Sequence, residues 1–151
     1  MTLQPDLPLN GLYGGVILEH FRNPKFRQRL KQPDIEIEEF NPFCGDRVKL
    51  QMQFDRLGAI IRISNEVEGC SILQATASMM SEILLGKTRE SILVIDHNFR
   101  SLLRGDDGSE VLGDLVAMKV VRDHPVRIKC ALLPWLALEE GLDQYERDFE
   151  K

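Results

Sequence analysis

The residues of this chain best suited to chemistry are three cysteines, Cys44, Cys70 and Cys130, and one carboxylate, Asp46. Cys44 and Asp46 flank Gly45 in Asn41-Pro42-Phe43-Cys44-Gly45-Asp46. Pro42 fixes φ and Gly45 admits positive φ, so the stretch reads as a loop rather than a continued element. In a bent loop, side chains two apart can point to one side, as two ligands of one metal must. A β-turn with an isolated cysteine accounts for the same residues. Cys70, in Glu68-Gly69-Cys70-Ser71, closes a strand pattern and opens a helical one. The free N–H groups and dipole at a helix start favour a thiolate; a buried cysteine beside a tight turn is the alternative. Cys130 falls at or near the start of a final helix, which Pro134 places close to itself because proline lacks an N–H. The alternation Val126, Ile128, Cys130 also fits a short extended piece with a core cysteine.

The cysteines are 26 and 60 residues apart, with no CxxC pair, so spacing alone says little about metal. An odd count argues against a disulfide framework. Each thiol sits at a loop or helix start, and none falls within a long apolar face. That suits ligands better than packing. Three thiolates and the Asp46 carboxylate make a tetrahedral set that zinc accepts, and thiolates also hold iron–sulfur clusters.

Something must position these groups. At 151 residues, 43% apolar and 28% charged, the chain has the length and composition of one globular domain, 1–151, with a core of its own. A net charge of −5 and no long basic run argue against nucleic acid as the main partner. No apolar stretch approaches the ~18 residues that span a membrane. The N-terminus lacks a basic segment followed by an apolar one, so a cytoplasmic protein is expected.

A helix over 11–22 would gather Leu12, Val16, Ile17 and Phe21 on one face, ending at Asn23-Pro24. Ile35, Ile37 and Phe40 suggest a strand. Val48, Leu50, Met52 and Phe54 alternate with polar residues as a half-buried strand does, and residues 59–67 return with Ile61 and Ile63 on one face. The expected fold is α+β, a three-stranded antiparallel sheet packed against several helices. A helix from Ser71 to Leu85 stops at Gly86. Thr88 caps a shorter helix through Val94, although Ile92 to Ile95 could be a strand. Residues 96–109 read as a solvated loop, with a small helix over 111–118. His20, His97 and His124 read as surface or partly satisfied side chains rather than ligands. Residues 1–9 and 143–151 read as loose, and Arg22, Lys25, Arg27 and Arg29 as a basic rim.

Taken in order, these residues resemble the U-type iron–sulfur assembly proteins, the family of SufU, IscU and the NifU N-terminal domain. The resemblance rests on Leu12-Tyr13 with Ile17 to Pro24, on Asn41 to Asp46, and on Gly69 to Ile72. It continues through the Ala75-to-Gly86 helix and Arg127 to Trp135. IscU-type members carry a His immediately before the third cysteine. Here Lys129 stands there, and Arg127 precedes Cys130 by three, as in SufU. The segment between Cys70 and Cys130 is also long, as in the SufU branch. Gly14-Gly15 and Pro134 depart from the family pattern. The resemblance implies a zinc ion on Cys44, Asp46, Cys70 and Cys130, with Gly45, Gly69 and Arg127 supporting them. It implies that Cys44 takes sulfur from a cysteine desulfurase and passes it toward a downstream cluster-assembly scaffold. The alternative it implies is a scaffold building a [2Fe-2S] cluster on the same ligands.

Overall fold

The computed structural model describes Leu9, residues 11–42 and residues 45–149. Along the chain run α1 (Gly11–Arg22), β1 (Ile35–Asn41), β2 (Asp46–Phe54), β3 (Ile60–Glu68), α2 (Ser71–Leu84) and α3 (Arg89–Leu103). A 3-10 segment (Glu110–Val121) and α4 (Pro125–Phe149) follow. The strands form one antiparallel sheet in the order β1-β2-β3, packed against the helices, which is the α+β architecture expected. No helix among the described residues is long and apolar enough to cross a membrane.

The central strand β2 turns Val48, Leu50, Met52 and Phe54 inward, as a period of two requires. Its other face is not simply wet. Gln51 is buried, accepting the Leu30 N–H at 2.9 Å and donating to Glu36 at 2.7 Å, because residues after α1 fold across that face. In β3 the expected inward face holds at Ile63 but not at Ile61. Ile60 and Ile63 are buried, and Ile61 is 42% exposed. Phe54 pairs with Ile60 while Gln53 pairs with Arg62, and this β-bulge resets the phase of the side chains. Phe40, near the end of β1, is also exposed.

Helix α1 has the expected bounds, but its buried face is Gly14, Ile17 and His20. Leu12 lies five positions from Ile17, about 140° round the helix, and points to solvent. A Cβ on Gly14 would meet the Leu9 carbonyl carbon at 2.4 Å, so this glycine admits the chain that precedes the helix. Helix α2 is buried nearly all round. Its small residues let α1 and the chain after it come close, and Ser78 Oγ accepts the Lys25 main-chain N–H at 2.9 Å.

Two helices run longer than their sequence suggests. Thr88 does cap α3, its hydroxyl accepting from Ser91 N–H, but the helix continues to Leu103 instead of Val94. Phe99 is fully buried and stacks on Trp135 with ring centroids 4.9 Å apart, so the solvated loop shrinks to the residues after Leu103. The next segment is 3-10 and broken at Gly113 (φ 51°, ψ −129°), not a plain helix. Helix α4 begins at Pro125 and runs through Pro134 to Phe149. Cys130 is therefore inside a helix rather than at its start, and residues 143–149 are helical rather than loose. Proline at 134 has no N–H, so the Cys130 carbonyl four residues earlier lacks its helical donor. Of the N-terminal residues expected to be loose, only Leu9 is described, and it packs against the core.

Candidate metal centre

Three elements deliver one polar cluster. Asp46 is the first residue of β2, opposite Asn41 of β1. Gly45 closes the intervening turn with φ +75°, its N–H donating to the Asn41 carbonyl at 2.9 Å. Cys70 caps α2 in an extended conformation, and Cys130 is buried in α4. One Asp46 oxygen and the two sulfurs lie within 4.8 Å of one another. Cys44 lies outside the described residues. Arg127, one turn before Cys130, donates from Nη1 to its Sγ at 3.6 Å. Lys129 is exposed.

Gly69 makes the approach possible. A Cβ there would fall 2.4 Å from Asp46 Oδ1 and 2.7 Å from Leu73, and its φ of +154° already disfavours a side chain. A methyl on Gly45 meets no atom of the described residues within 4 Å, and its positive φ opposes substitution. Gly45→Ala should cost about 1–2 kcal/mol of stability. Gly69→Ala adds overpacking to strain and should cost at least about 2 kcal/mol, with loss of the Asp46 position. Denaturant unfolding of both variants checks the order. Equal losses would mean that the Gly69 contact relaxes freely.

Electrostatics divide the two thiols. The Cys70 thiol falls to about 7, first because the Cys130 thiol hydrogen-bonds its thiolate. The Leu73 main-chain N–H and the Arg127 charge act the same way, against burial and the Asp46 charge. No full capping hydrogen bond forms at the Cys70 side chain, so that N–H acts as a nearby dipole. Cys130 moves up, through that same bond to Cys70, then burial, then a hydrogen bond to Asp46. Cys130 thus keeps its proton and donates it toward the Cys70 sulfur and the Asp46 carboxylate.

At the site, Asp46 Oδ2 is buried with no hydrogen-bond partner among the described residues. A buried carboxylate oxygen left alone costs about 1–3 kcal/mol, and a cation beside it removes that cost. Two sulfurs and a carboxylate are the donor set of a zinc site, so the residues present fit that metal. Asp46, Cys70 and Cys130 would hold it.

Sequence reasoning passed over a second cluster. His20 is buried, with Nδ1 2.8 Å from Ser78 Oγ and Nε2 3.0 Å from Asp114. Glu82 lies 3.9 Å from Nε2 and pairs with Lys25 at 2.8 Å. This network ties α1, α2 and the 3-10 segment together. The available signal was position: His20 is three residues after Ile17, on the same helical face. His97 and His124 are exposed, as expected.

The profile of the NifU-like N-terminal domain matches residues 12–150. The chain belongs to the NifU-like N-terminal domain family. Within this family it is similar to the zinc-dependent sulfurtransferase SufU of Bacillus subtilis, 41% identical over 91% of this chain and 94% of the other. It is 31% identical to the iron–sulfur cluster assembly scaffold protein IscU of Thermotoga maritima, over 90% and 96% of the two chains. Its fold matches the crystal structure of FiSufU from Fervidobacterium islandicum, with a TM-score of 0.79 and 32% identity over 89% and 96%. The family fold accounts for the sheet, and its members' SufU and IscU branches bracket the two chemistries expected from the residues.

Proposed function

We propose that this protein is a zinc-dependent sulfur acceptor in iron–sulfur cluster assembly, working in the cytosol. It would take persulfide sulfur from a cysteine desulfurase and pass it to a downstream scaffold. The observation that carries the reading is an Asp46 oxygen, unpartnered among the described residues, buried beside two thiols, one of them already biased toward thiolate. Similarity to the B. subtilis SufU favours zinc over a cluster.

In this reading Cys44, Asp46, Cys70 and Cys130 are the ligands. Bound zinc would keep their thiols deprotonated at neutral pH. Cys44 supplies the nucleophile. Its thiolate attacks the outer sulfur of the donor persulfide, the donor S–S bond breaks, and the donor cysteine leaves as thiolate. Cys44 then carries the persulfide, and no net oxidation occurs. Arg127 stays beside Cys130 and offsets negative charge left among the ligands.

The IscU relatives, named as scaffolds, support the second reading, a [2Fe-2S] cluster on the same ligands. Metal analysis of protein purified without air separates the two. One zinc and no colour is expected; iron and sulfide in a brown protein would replace the proposal with the scaffold reading.

Asp46 gives a further test. As the oxygen ligand it is the weakest partner for zinc, so Asp46→Ala should retain more metal than Cys70→Ala yet lose most sulfur transfer. Without metal the same variant should be about 1–3 kcal/mol more stable than the metal-free parent, because the orphaned carboxylate is gone. Normal transfer by Asp46→Ala, or a less stable metal-free form, would contradict this role.

A further inference from the structure

We propose that the groove between residues 26–32 and β3 is a docking site for an acidic, extended segment of a partner protein. This rests on its own observations and not on the metal centre. The groove encloses about 880 Å³. Arg27, Arg29, Lys31 and Arg62 line it, and no Asp or Glu does. A chain of net charge −5 has therefore gathered four cations on one concave surface.

Their charges are unequally answered. Arg29 pairs with Glu66 at 2.8 Å, and Arg62 meets only the neutral amide of Gln53 at 3.0 Å. Arg27 is the anomaly. It is half-buried, its Nη2 donates to the Gln74 carbonyl at 3.3 Å, and its Nε has no partner. Burial holds its pKa below the ordinary value, with no neighbouring carboxylate acting against that shift. A partly desolvated guanidinium without a counter-ion is costly, and the partner that its fork fits best is a carboxylate.

The sheet edge sets the shape of the occupant. Asn65 N–H points outward and donates to the Phe26 carbonyl at 2.7 Å. Farther along β3, Ile60 is bonded to Gly86 and Lys87. Alternation turns the N–H and C=O of Ile63 to the same outer side as those of Asn65, and no main chain meets them there among the described residues. A short free edge thus lies between two occupied ones, and the groove opens on it. An extended segment lying in the groove can pair there with the Ile63 N–H and C=O. Its carboxylates would meet Arg27 and Arg62, and its apolar side chains would cover Ile61 and Leu85, both part-exposed.

The test is fluorescence anisotropy of the full-length protein with a labelled peptide of about ten residues alternating Glu and Leu, beside a Lys/Leu control and a single-stranded oligonucleotide. The Glu/Leu peptide should bind at least about tenfold tighter than the control and weaken as salt rises. Arg27→Glu and Arg62→Glu should each weaken it about tenfold, and Arg62 is exposed, so its variant remains informative if the first fails to fold. The proposal is overturned by no binding, by equal binding of both peptides, by variants that bind as the parent does, or by an oligonucleotide that binds more tightly.

Discussion

Stripping the metal with a strong chelator should lower the melting temperature of this protein by roughly 8–16 °C. A ligand held a thousandfold above its dissociation constant stabilises by about 4 kcal/mol, and each kcal/mol moves the midpoint by roughly 2–4 °C in a domain of this size. The metal would join the first residue of β2, the cap of α2 and the interior of α4. Removing it leaves the Asp46 oxygen buried and, among the described residues, unpaired. The metal-free chain should still fold, unlike a zinc finger, because its continuous apolar core extends far beyond the site, of which only Cys130 belongs to it and Cys70 packs against it. Calorimetry before and after chelation, with metal content measured in parallel, decides. An unchanged curve on verified metal-free protein would remove any structural role.

Sulfur from a desulfurase should appear on Cys44, and Cys44→Ser should reduce transfer to background. Cys130 is 1% exposed within α4, so a donor persulfide cannot reach it while the helix stays packed. Cys70 is half-buried at the start of α2, with Leu73 and Ile72 of the same turn in the core. In the proposed function Cys44, two residues before Asp46, is the acceptor. Zinc-loaded protein is mixed with a desulfurase and cysteine, and peptide mass spectrometry seeks the added sulfur of about 32 Da. Sulfur found reproducibly on Cys130 and not on Cys44 would overturn the assignment.

Local chemistry was legible in the sequence; long-range geometry was not. The inward face of β2 could be read because four apolar residues alternate without interruption. Ile60 and Ile61 could not be placed, because a bulge against Phe54 changes the phase and only pairing reveals it. Ile92 to Ile95 reads as strand or helix by composition; burial of Ile92, Ile95, Phe99 and Leu102 at helical spacing settles α3. Pro134 suggested a helix start, but packing of Ala131, Trp135 and Leu138 in the core outweighs the roughly 3 kcal/mol that an interior proline costs. At the site, turn and cap chemistry singled out Gly45, Asp46 and Cys70, and the family resemblance added Gly69. That a Gly69 side chain would strike Asp46, or that Arg27 has no carboxylate partner, depends on residues brought together only by folding.

Because the cluster draws its last member from α4, it cannot exist on a growing chain until translation has passed Cys130. Sixty residues separate that cysteine from Cys70, which is about 3–12 s of synthesis at roughly 5–20 residues per second. Through that interval the nascent polypeptide displays Asp46 and Cys70 without the buried thiol that completes them. Assembly of the centre is therefore a late event in biogenesis, and a ribosome stalled before residue 130 presents a half-built site.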